Sequence, residues 1–291
     1  MSKVKFFQLL VLLVVLTFIL IKFGPGLSDW EDWKKVYQPA ALAMVHGKSP
    51  YSIEVFFAPP WSVIPLIPFA ILPEKVGEVL YFLFGFGITA FILYKLGATP
   101  ISMLIFLSSA PVIGYLTWGN IDWMPLLSLI LPAPIALIFA TTKPQIGIGF
   151  AIYTCLTTLK TKGLKEVIKI LIPITLLTLL SFWVYGFWFL GYSVLLEKTA
   201  QTVRVDNISL WPEGLFIGFW LLYKSLQKEN PRIGMAASPF ISPYVSPFTW
   251  AAVLVALIQQ PLELLIVSIG LWMPVLIKVV DQFLSIILQK K

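Results

Sequence analysis

Between Lys5 and Lys22 the chain reads FFQLLVLLVVLTFILI, 16 residues without a charge, with Lys3 and Lys5 directly ahead of it. Such a run resembles a secretory signal. It is long for one, however, and no small-residue cleavage site follows it, so it reads as a retained first membrane helix entering from the cytoplasm. The rest of the chain agrees with lipid as its solvent. Of 291 residues, 58% are hydrophobic and only 12% charged, too little polar surface to cover a water-soluble globule. At roughly 20 apolar residues per crossing, the length has room for about 8–10 membrane segments. The expected fold is therefore all-α: a polytopic transmembrane helix bundle with several short or proline-broken segments, forming a single integral membrane domain over residues 1–291.

Lys and Arg number 21 against 14 Asp and Glu. In a soluble protein that balance would suggest nucleic acid; here it reads as the cytoplasmic bias of membrane loops, and no basic, aromatic-interleaved stretch makes nucleic acid an expected partner. A single cysteine, Cys155, excludes an intrachain disulfide and a cysteine zinc site, and a single histidine, His46, excludes a histidine metal cluster.

Residues 24–60 form the longest polar stretch, with five prolines and the cluster SDWEDWKK, and are expected to be a large loop on the outer side. Within it QPAALAMVHG has Pro39 at a first helical position and Gly47 at its end, the pattern of a short helix along the interface. The Trp30, Trp33 and Tyr37 rings suit headgroup depth. PPWSVIPLIPFAILP holds five prolines in 15 residues, too many for a regular spanning helix, and is expected to dip in and pack on the bundle. Residues 79–94 then descend to Lys95 and 101–117 return, which puts GNIDW on the outer side with the first loop. Lys160, Lys162, Lys165 and Lys169 belong to the cytoplasm. Between them and Asp122, LPAP and TTKPQ interrupt the apolar sequence, so a broken hairpin is expected to carry Lys143 and Gln145 back toward the outer half. Residues 170–185 rise again, 215–223 descend to Lys224, Lys228 and Arg232, and SPFISPYVSPF is a second proline-broken element.

A charge at membrane depth costs at least about 2.5 kcal/mol, so such residues usually face a wet cavity and are functional candidates. Asp29, Glu31, Asp32, Asp122, Lys143, Arg204 and Asp206 all fall on the outer side in this topology. A carboxylate there can act as general base toward a hydroxyl, and Lys143 or Arg204 can hold a phosphate leaving group. Plainer roles compete with these. The acidic run can be a solvated face balanced by Lys34 and Lys35, Asp122 a helix N-cap, His46 a C-terminal cap, Lys143 a snorkelling side chain, and Arg204 a ligand of ordinary lipid phosphate.

The segments DWKKVYQPAALAMVHGKSPY, APPW, GNIDW, TTKPQIG and DNISLW, in this order, resemble the GT-C superfamily of membrane glycosyltransferases, and most nearly the bacterial polyprenyl-phosphate-mannose-dependent mannosyltransferases. The likeness runs from about residue 24 to about residue 250 and rests on order and spacing, since no single motif is specific. It implies a GT-C helix bundle, an acidic catalytic residue in the first outer loop, and a hexose, mannose in the first instance, carried on a polyprenyl phosphate. Asp32 matches the acidic residue that heads the first motif, with Asp29 as the alternative, and Asp122 falls where relatives carry a second polar or acidic group. Tyr51 closes that motif, Lys143 and Gln145 lie on KPQ, and Asn207 with Ser209 resembles a later N-x-S element. His46, Asn120 and Arg204 complete the candidate substrate contacts. The implied partners are the polyprenyl-phosphate sugar, a lipid or glycan acceptor and membrane lipid, at the outer face of the plasma (inner) membrane. A divalent cation is compatible but not required. A transporter or lipid flippase and an inactive accessory subunit are the competing readings, since both also tolerate buried charges and broken helices.

Overall fold

Proline stands in the first turn of helix after helix, where its missing N–H is not needed and its fixed φ is already helical. The structure, a computed structural model, describes residues 31–190 and 207–289. Among these there is helix and loop but no strand. A π-turn (Trp33–Tyr37) leads into α1 (Gln38–Val45), which has Pro39 in its first turn as the sequence predicts and closes with His46 at the C-cap and a left-handed Gly47 (φ +70) just beyond. Pro60–Ala70 is a chain of short turns rather than one long helix, and its Val63 and Leu66 are buried in the core. Then follow α2 (Glu74–Lys95), α3 (Pro100–Leu107), α4 (Ala110–Trp118), α5 (Trp123–Leu127), α6 (Ala133–Ala140), α7 (Pro144–Lys162) and α8 (Leu164–Tyr185). After the second described segment begins come α9 (Leu215–Gln227), α10 (Pro231–Ala236), α11 (Ala251–Ala256) and α12 (Pro261–Gln289).

Two described helices, α2 and α8, are long and apolar enough to cross a membrane, and α3 with α4, bent by 58°, makes a third if the pair is one broken span. That is fewer full-length spans than the composition suggests. The physical reason is proline: the apolar stretches at Pro60–Ala70 and Pro247–Ala256 are each under 18 residues long, about 18–20 being needed to span. The first apolar run, at 6–21, lies outside the described residues. Outward-facing surface is apolar where lipid is expected: Trp183 on α8 is 84% exposed and Phe216 on α9 is 85% exposed, with Leu176, Leu179 and Leu180 beside Trp183. α2 carries Glu74 in its first turn and Lys95 in its last, the arrangement that complements the helix dipole.

The Trp33 and Tyr37 rings of the first loop pack inside the protein rather than on its surface. Trp33 is fully buried and Tyr37 nearly so, and Trp33 stacks on Tyr81 of α2 with ring centroids 4.4 Å apart. The π-turn rotates both rings inward and leaves Lys34 and Lys35 outside. Trp30 lies outside the described residues.

α7 and α10 cross with their backbones touching. Gly149 donates its N–H to Ser238 Oγ at 2.9 Å, and a Cβ at Gly149 would stand 2.1 Å from the Gly234 carbonyl oxygen. Backbone cannot swing aside as a side-chain tip can, so Gly149→Ala is expected to cost about 1–3 kcal/mol through overpacking. Thermal unfolding in detergent measures it; an unchanged midpoint would mean the two helices part freely.

Candidate functional site

The stretch TWGN explains how a polar cluster forms inside this chain. α4 ends in a left-handed Gly119 (φ +69), and the Asn120 N–H reaches back to the Tyr115 carbonyl at 2.8 Å while the Gly119 N–H reaches Leu116. This Schellman closure needs positive φ, which glycine adopts without strain, and it turns Asn120 and Asp122 back into the bundle.

Asn120 is held on both sides of its amide. Its Oδ1 accepts from the Ile121 N–H at 2.7 Å and from the Tyr37 hydroxyl at 3.1 Å, and its Nδ2 donates to Asp32 Oδ2 at 2.5 Å. Its carbonyl accepts from the Tyr81 hydroxyl at 2.9 Å, and that hydroxyl accepts from Trp123 Nε1 at 3.2 Å. Asp32 and Tyr37 both reach one amide because the turn between them is wide: the Gln38 N–H bonds the Trp33 carbonyl five residues back.

Asp122 occupies the N-cap position of α5, but its side chain does not cap the helix. It accepts instead from Lys143 Nζ at 2.6 Å, and both partners are buried. Pro144 explains the position of Lys143. The residue before a proline is pushed out of the helical region, and Lys143 is extended at φ −138, ψ 91, at the mouth of the α6–α7 hairpin. Asp122 Oδ1 is buried without a hydrogen-bond partner, which leaves an unfilled acceptor in the cluster. Burial pushes the Asp32 carboxyl up to about 6, against the pull of the Lys143 ammonium and the Asn120 bond; the charges of Asp122 and Glu31 add to the rise. Lys143 therefore acts on both carboxylates.

Asp32, Asn120, Asp122 and Lys143, drawn from three separate parts of the chain, form one cluster. Glu31 turns outward to an exposed ion pair with Lys35 at 2.8 Å. Gln145 lies in the first turn of α7 and makes none of the cluster's hydrogen bonds, and His46 is exposed at the end of α1. Tyr51 belongs to a separate aromatic group, stacked on Trp188 at 5.8 Å and donating to the Ala58 carbonyl. Asn207 and Ser209 form a clasp: Asn207 Oδ1 accepts from the Val245 N–H, and Ser209 Oγ donates to the Ser242 carbonyl. Asp29 and Arg204 lie outside the described residues. Tyr37, Tyr81 and Trp123 are site residues that motif reading passes over, because tyrosine and tryptophan in an apolar chain look like packing.

The donor set is a poor fit for a divalent cation. Lys143 already occupies Asp122 Oδ2, and among the described residues no three Asp, Glu, His or Cys side chains converge. No family model matches the chain, and comparisons with curated proteins and with solved structures return no match.

Proposed function

We propose that this protein is a GT-C type membrane glycosyltransferase. It moves a hexose, mannose in the first instance, from a polyprenyl-phosphate donor to a lipid or glycan acceptor at the outer face of a multi-pass plasma membrane bundle. The observation that carries this reading is the convergence of Asp32, Asn120, Asp122 and Lys143 in one cluster.

Asp32 is the base. Its Oδ2 is committed to Asn120 while the carboxylate takes the proton of the acceptor hydroxyl. The acceptor oxygen forms its bond to the anomeric carbon as the bond from that carbon to the phosphate oxygen breaks, and the electron pair leaves with the polyprenyl phosphate. Lys143, held by Asp122, offers the cation that the departing phosphate needs. Tyr37 and Asn120 fix the direction of Asp32.

Turnover of radiolabelled polyprenyl-phosphate sugar in proteoliposomes tests the reading. Because the base must be ionised, the rate is expected to rise with pH through about 6 as Asp32 loses its proton. Asn120 bonds the charged form, so Asn120→Ala is expected to move that midpoint upward. A profile flat between pH 5 and 8, or a midpoint that falls in the variant, counts against Asp32 as base. A transporter would also use a buried ion pair that opens on substrate entry; movement of the sugar lipid without bond cleavage distinguishes it.

A further inference from the structure

The end of α2 remote from the carboxylates carries a second polar group, one that glycosyl transfer does not use. Fifteen residues, about 22 Å of helix, separate Tyr81, which donates to the Asn120 carbonyl, from Leu96, whose carbonyl accepts from Gln259 Nε2 at 3.4 Å. Gln259 Oε1 in turn accepts from Arg232 Nη2 at 2.9 Å, and Arg232 Nε donates to Asn230 Oδ1 at 3.3 Å. Both acceptors are neutral amides.

Arg232 Nη1 is buried with no hydrogen-bond partner. No ion pair among the described residues includes Arg232, although Glu229 and Glu263 are exposed close by in sequence to Arg232 and Gln259. A guanidinium stays protonated in a protein, so among the described residues this half-buried charge has no counter-ion within ion-pair distance. Desolvating a cation without an anion is unfavourable. The same end carries exposed Lys95, next to Leu96, and exposed Lys228, two residues before Asn230.

We propose that Arg232, with Gln259 and Asn230, is a binding site for a phosphate oxyanion, with Lys95 and Lys228 supplying positive potential around it. Three features select phosphate. The planar guanidinium fork matches two phosphate oxygens. Gln259 is exposed, so its side chain can turn to free the outer edge of Arg232 and donate its own amide N–H to the anion. The site lies at the end of a helix long and apolar enough to span, where basic side chains meet acidic headgroups. The anion is either the headgroup of an acidic phospholipid or free phosphate, and both present the same oxygens. The site is independent of the glycosyltransferase reading.

Titration of the purified full chain in neutral detergent tests it, with binding followed by native mass spectrometry and by thermal shift. The probes are a phosphatidylglycerol, a phosphatidylcholine of the same acyl chains, and inorganic phosphate. Phosphatidylglycerol is expected to bind and stabilise while phosphatidylcholine does not; competition by inorganic phosphate assigns the site to the free ion, and its absence assigns it to the headgroup. Arg232→Gln is expected to weaken binding about tenfold or more, as loss of a charge-assisted bond does. Arg232→Lys keeps the charge but lacks the fork, and is expected to fall between the two. Lys75→Gln, at the opposite end of α2, is expected to bind as the unmodified chain does. Equal affinity in the Arg232 variants, equal binding of the zwitterionic phosphatidylcholine, or no binding of either phosphatidylglycerol or inorganic phosphate overturns the proposal.

Discussion

Asp32→Asn is expected to lower the rate of sugar transfer by about 10²–10⁴-fold, the usual contribution of a positioned general base. The substitution is a sharp probe because it changes little else. A carboxamide oxygen still accepts from Asn120 Nδ2, so the bridge from the first loop to the α4–α5 turn survives, while the ability to take a proton is lost. Unfolding should therefore stay near the unmodified midpoint as activity disappears. Glu31→Gln is the matched control: Glu31 is one residue away, carries the same charge, and spends it on an exposed pair with Lys35, so its loss should leave the rate within about twofold. Full activity in both Asp32→Asn and Asp29→Asn would remove the first-loop base and, with it, the glycosyltransferase proposal.

Backbone punctuation was easy to read in this chain, and side-chain direction was not. Pro39 marks a helix start because its chemistry is local, and the LPAP and TTKPQ interruptions do bring Lys143 back to Asp122, whereas the bend ahead of Pro111 divides a stretch that reads in sequence as one segment over 101–117. The inward turn of Trp33 and Tyr37 was not legible, because it depends on a π-turn and helical periodicity assumes a narrower one. Asn207 and Ser209 show the same limit from the other side. Their motif has polar atoms at a regular spacing, but those atoms are consumed by the Ser242–Val245 backbone, a partner more than 30 residues away that no local pattern reveals. Asp122 is intermediate. Its place at the start of α5 follows from sequence, yet the orientation that separates a capping side chain from an ion-paired one is set by tertiary contact.

Lys143→Met is expected to destabilise the fold by about 3–5 kcal/mol, because it strands the buried Asp122 carboxylate without its cation. Of the two oxygens, Oδ2 has Lys143 Nζ at 2.6 Å and Oδ1 has no hydrogen-bond partner, so among the described residues the carboxylate loses its ion-pair cation when the ammonium is gone. Adding Asp122→Asn to Lys143→Met should restore part of the loss, since a neutral amide is far cheaper to bury than a carboxylate. The double-mutant cycle, read from unfolding in detergent, then reports strong coupling between the two positions. A snorkelling lysine predicts the opposite pattern: a small single-site effect and additivity, because its ammonium would be solvated and Asp122 would not depend on it. The cycle thus measures whether the cation belongs to the carboxylate cluster before any substrate is supplied. Additive, small effects would detach Lys143 from Asp122 and leave the departing phosphate without the charge assigned to it.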